Sequence, residues 1–158
     1  MQILNRAAGF TSNIEDLKSI YLIYVRSFVE QSAVVWHSSP TYKNRRDLER
    51  VQRCAVRVIC KNNYKGYKSG LKTLRIQTLE KRREILCLKF AKNCLKDEKL
   101  KKFFPVKKNE HKMKKRNTMK FKTNKTRTER YRKSAIPYMQ RLLNNEHNQK
   151  TSIIKSVT

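Results

Sequence analysis

The side chains in this sequence best suited to chemistry are cations set in rows. Arg50, Arg53 and Arg57 recur at i, i+3 and i+7, a spacing that puts three guanidinium groups on one side of an α-helix. Lys81, Arg82, Lys89 and Lys92 share one side of a second stretch, TLEKRREILCLKFAKNCL, at residues 78–95. Such rows neutralise phosphate groups, giving affinity for a polyanion without reading its sequence. The same rows also arise as an ordinary solvated face. The two readings part on whether the cations face a common direction or are tucked against acidic neighbours.

Catalytic chemistry of other kinds finds no support in the residues. Polymerases and nucleases that use two metal ions hold them with clustered carboxylates. The three aspartates, Asp16, Asp47 and Asp97, are widely separated, and no Walker loop, HExxH or GxSxG motif occurs. Glu80 and Glu84 sit one helical turn apart, flanking Arg82 and Arg83, and read as local helix salt bridges. The four cysteines, Cys54, Cys60, Cys87 and Cys94, form no CxxC pair, and His37, His111 and His147 are far apart. A zinc site is therefore not expected, nor any cofactor. Buried, reduced thiols in an intracellular protein are expected instead. Taken by itself, the chain is expected to catalyse nothing.

Charge sets the class of partner. Thirty-nine Lys and Arg against twelve Asp and Glu leave a formal net charge of +27 on 158 residues. Self-repulsion at that charge opposes compaction, so a neutralising polyanion would stabilise the fold. Nucleic acid is the first candidate, because cations are spread along the whole chain. An anionic membrane surface or an acidic protein would also neutralise the charge but ranks behind it. No membrane span is expected, since the most apolar run, residues 20–25, is too short to cross a bilayer and ends at Arg26. Residues 1–10 lack the basic start and long apolar run of a signal peptide.

Positioning these cations falls to helices, since three glycines and three prolines are too few for the frequent turns of a β-sandwich or barrel. The expected fold is all-α, a small bundle of three main helices followed by a basic, largely extended or disordered tail with a short terminal helix. Ser12 with Glu15 makes a capping box for a helix from Asn13 to about Trp36. Its apolar residues leave so few positions outside that it should be the buried spine of the core. Thr41 caps a second helix to about Cys60, with Leu48, Val51, Cys54, Ala55, Val58 and Ile59 as the buried stripe. Residues 61–70 read as loop, in which Tyr64 and Tyr67 could stack on bases or pack half-buried. The third helix is the 78–95 stretch. Leu79, Leu86, Cys87, Phe90, Ala91 and Cys94 share its apolar arc, and Arg83 and Glu84 intrude on that arc as misfits.

Beyond residue 95 the character changes. Residues 96–133 hold seventeen Lys or Arg and little apolar surface to offset the entropy of ordering, so a flexible segment is expected. Residues 134–144 regain a helical pattern, Pro137 falling in a first turn, and the last residues should fray. The chain thus divides into a bundle at 1–95, a basic segment at 96–133 and a terminal helix at 134–158. Residues 112–116 could also serve nuclear import.

The order and spacing of several short stretches resemble a known family. Val25-Arg26 to Val35-Trp36-His37, Leu48-Glu49-Arg50-Val51-Gln52-Arg53-Cys54-Ala55-Val56-Arg57-Val58-Ile59 and Leu79-Glu80-Lys81-Arg82-Arg83 resemble the region after the catalytic domain of non-LTR (LINE-like) retrotransposon reverse transcriptases. So do Leu86-Cys87-Leu88-Lys89-Phe90-Ala91-Lys92-Asn93-Cys94-Leu95 and Arg127-Thr128-Glu129-Arg130-Tyr131-Arg132-Lys133-Ser134-Ala135-Ile136-Pro137-Tyr138. The likeness covers residues from about 4 to 144. It implies a helical, thumb-like part of an RNA-directed DNA polymerase, gripping RNA or an RNA–DNA duplex by its backbone. The family's palm, with its paired aspartates, would precede Met1, so the sequence looks like a fragment of an element reading frame. Arg50, Arg53, Arg57, Lys81, Arg82, Lys89 and Lys92 are the expected phosphate contacts. Two other readings remain: a helical module that docks on another protein, such as the palm domain, and a free-standing basic RNA-binding protein with residues 96–133 as its arm.

Overall fold

The computed structural model describes residues 1–106, 120–123 and 125–157, with side-chain surroundings up to residue 149. Helix α1 (Gln2–Phe10) ends where Thr11 turns extended. Asn13 opens α2 (Ile14–Ile20), its side-chain oxygen accepting the Glu15 N–H at 3.1 Å. The helix continues as π-helical turns over Tyr21–Arg26 and then as α3 (Ser27–Glu30). Ser32, at φ 51°, stops it, and α4 (Ala33–Trp36) is a separate turn. Thr41 caps α5 (Tyr42–Cys60), accepting the Asn44 N–H at 3.3 Å. Next come α6 (Tyr67–Leu74), closed by Arg75 in the left-handed region, and α7 (Leu79–Cys94). After α8 (Glu98–Lys101) and α9 (Glu129–Arg132), α10 (Ala135–Val157) ends the described chain. Among the described residues the one extended pairing is an antiparallel bridge between Val106 and Phe121. The fold is all-α, as the sequence leads one to expect.

Two compact units share the chain. The first comprises residues 1–33 and 40–84. Its core joins Leu4 of α1, Leu17 of α2 and Tyr21 to Ala55, Val56, Ile59 and Cys60 of α5 and to Leu71 and Leu74 of α6. Lys61 locks α1 to the end of α5: its ammonium donates to the Ala8 carbonyl at 3.0 Å, filling a vacant acceptor at the C-terminus of α1. The second unit comprises residues 34–39 and 85–158. Cys87, Ala91 and Cys94 pack there with Phe104, Phe121, Met139 and Leu143. Asn144 clips the Phe121 backbone to α10, accepting its N–H at 2.9 Å and donating to its carbonyl at 3.1 Å. Gln140 donates to the Phe103 carbonyl at 2.8 Å. Sequence reasoning ends the first domain at residue 95, whereas these units divide at Glu84 and Ile85, within α7.

Several sequence expectations need correction. Asn13, not Ser12, is the cap that opens α2; the Ser12 hydroxyl accepts from Lys61. The long helix to Trp36 is broken at Ser32 and is no buried spine: Ile23, Tyr24, Phe28 and Val35 are 59–77% exposed. Cys54 is exposed rather than buried, although all four thiols are free. Gln52, Val56 and Cys60 take places on the buried side of α5 that the expected stripe omits. Phe104 and Phe121, within the segment expected to be flexible, are buried. The terminal helix runs on to Val157 where fraying is expected. Residues 107–119, which hold the basic 112–116 run with Met113 and Met119, lie outside the described residues.

Candidate nucleic-acid interface

Helix α5 carries a row of cations that face one way. Arg46, Arg50, Arg53 and Arg57 line one open groove of about 450 Å³, together with Asp47 and the exposed thiol Cys54. The spacing i, i+4, i+7, i+11 keeps all four on one strip, and at ~1.5 Å rise per residue that strip is ~16 Å long. Among the described residues none of the four lies within ion-pair distance of a carboxylate.

Two of these arginines rest on aromatic rings. The guanidinium carbon of Arg53 is 5.3 Å from the Tyr67 ring centroid, and that of Arg57 is 5.6 Å from the Tyr64 centroid. Tyr67 is itself held by its hydroxyl, which donates to the Glu49 carboxylate one turn before Arg53. Burial first, and then the Glu49 carboxylate, push the Tyr67 phenol well above its usual range. The tyrosines reach α5 because α6 approaches closely at Gly70. A Cβ there would collide with Val56 Cγ1 and lie 3.6 Å from Cys60 Sγ.

Elsewhere in the first unit a partly buried ionic cluster gathers around Arg83. Arg83, the misfit in the apolar arc of the third helix, is 1% exposed. Burial lowers its pKa, and the carboxylates of Glu49, Glu80 and Glu30 oppose that fall. Glu30 lies 3.5 Å from Arg82 and 3.8 Å from Arg26. Glu80 also reaches Arg45 of α5 at 3.6 Å, a tie between helices.

The seven expected contact residues are therefore placed unequally. Arg50, Arg53 and Arg57 converge on the groove. Arg82 is tucked against Glu30, and Lys92 is paired with Glu146 of α10 at 2.6 Å, so neither offers an unopposed cation. Lys81 and Lys89 are exposed but outside the groove lining, and Lys89 belongs to the second unit. Arg46 joins the groove although sequence reasoning omitted it; its position four residues before Arg50 was the available signal.

Among the described residues no helix is long and apolar enough to cross a membrane, and no three His, Cys, Asp or Glu side chains gather as a metal site would require. Set against models of known protein families, curated proteins and solved structures, the chain matches none.

Proposed function

We propose that the first unit grips the phosphate backbone of an RNA or RNA–DNA duplex along α5, without base specificity. The convergence of Arg46, Arg50, Arg53 and Arg57 on one groove, none paired with a carboxylate among the described residues, supports this reading above all. Each guanidinium offers five N–H donors suited to bidentate contact with phosphate oxygens. The family likeness supplies a setting, in which the grip is the thumb-like part of an RNA-directed DNA polymerase whose catalytic carboxylates lie elsewhere. On that reading the chain holds nucleic acid and does not copy it.

Cys54 provides a test that leaves the sequence unaltered. It lines the groove, while Cys60, Cys87 and Cys94 are buried. Saturating RNA–DNA duplex should slow alkylation of Cys54 roughly ten-fold or more, since a backbone lying across the groove covers the thiol. Alkylation at an unchanged rate with duplex bound would place the binding surface elsewhere.

A second reading has its own observation. Ile23, Tyr24 and Phe28, neighbours along one helical stretch of the first unit, are 59–77% exposed, bare apolar side chains that suit a protein-docking face. Replacing Phe28 with Lys should abolish such docking and leave duplex affinity as it was.

A further inference from the structure

Four guanidinium groups on one helical strip repel one another, and each is a long, freely rotating side chain. Left alone they would splay into solvent, and gathering them on a ligand would cost rotamer entropy at the moment of binding. In this structure two are already gathered. Arg53 lies over Tyr67 at 5.3 Å and Arg57 over Tyr64 at 5.6 Å, with both arginines lining the groove. The rings are fixed independently of the cations. Tyr67 is half-buried and bonded to Glu49, and Tyr64 is half-buried against the close approach of α6 at Gly70.

We propose that Tyr64 and Tyr67 are positioning residues, π platforms that hold Arg57 and Arg53 ready to receive phosphate oxygens. This inference rests on reading the groove as the duplex contact. An aromatic face attracts the guanidinium through its quadrupole, and that contact leaves the in-plane N–H donors free to bond outward. The platforms therefore add affinity without adding a contact of their own. They also commit the ring faces to arginine, which turns the groove toward duplex backbone and away from unstacked bases.

The test compares contact residues with positioning residues in the full chain, titrated against a labelled RNA–DNA duplex at several salt concentrations. Arg53→Gln with Arg57→Gln removes two phosphate partners and should lower the magnitude of the salt slope by about 2. Tyr64→Leu with Tyr67→Leu keeps the cations and should weaken binding roughly ten-fold, about two- to five-fold per ring, at an unchanged slope. Tyr64→Phe retains the ring face and should bind within about two-fold of the parent. A folded double-leucine variant with parental affinity would overturn the inference. If that variant does not fold, Tyr64→Leu alone decides: about a three-fold loss supports the platform role, and no loss rejects it. Arginine variants that keep both affinity and slope would instead sink the groove reading and the platforms with it.

Discussion

Arg83 shows how much a single residue can reveal and withhold. Its place in an apolar arc, visible in the sequence as a misfit, was a local signal of its burial, but the carboxylates of Glu30 and Glu49 that act on it are remote in the chain and had none. Truncating it removes one cation from a partly buried group in which Glu30 keeps Arg82 and Arg26 and Glu49 keeps the Tyr67 hydroxyl, so Arg83→Ala should cost about 1–3 kcal/mol in urea unfolding. Arg50→Ala, on the open groove, should stay within about 0.5 kcal/mol of the parent. Tyr21 and Tyr67 supply a pH dependence. Burial raises both phenols, with Glu30 and Glu49 reinforcing the shift at Tyr21 against Arg26, and Glu49 reinforcing it at Tyr67. A folded-state pKa above the unfolded value of about 10 means that this stability is whole below that pH and is lost as pH rises past it. In an alkaline titration followed by phenolate absorbance, the signal removed by Tyr21→Phe or Tyr67→Phe should be the part that appears only as the chain unfolds.

At the scale of the element, α5 and α6 form the working pair, and Gly70 sets their distance. Gly70→Ala forces a methyl onto Val56 and should destabilise the chain by about 1–3 kcal/mol in thermal melts. The same displacement moves Tyr64 and Tyr67 and should weaken duplex binding. The bounds of α5 were legible because they are local: Thr41 caps the start, and the apolar spacing carries on to Cys60. Which edge of its stripe is covered was not, because that depends on α6. Cys54 therefore fell on the wrong side of the boundary and Val56 was missed. The break at Ser32 was equally hidden, since no Gly or Pro marks it and the left-handed conformation falls on a serine. The Asn144 clip depends on a backbone segment more than twenty residues away, beyond the reach of any periodicity. Asn144→Ala would leave the Phe121 N–H and carbonyl without that partner and should cost the second unit about 1–3 kcal/mol.

At the scale of the molecule, charge dominates. The class of fold and the basic helix faces were readable from composition and spacing, but the sorting of cations into convergent, paired and scattered sets was not. Pairing consumes Arg82 and Lys92 through Glu30 and Glu146, and only folding brings those carboxylates near. A net charge of +27 should make the melting temperature rise both with added salt, which screens repulsion, and with duplex, which binds the folded state. The most direct measurement of the central claim is the salt dependence of duplex affinity for the parent chain and for one carrying Arg46, Arg50, Arg53 and Arg57 all as Gln. A grip through these four side chains predicts that the slope of log affinity against log salt shrinks in magnitude by about 3.6, at roughly 0.9 per phosphate contact. An identical slope in both proteins would contradict it.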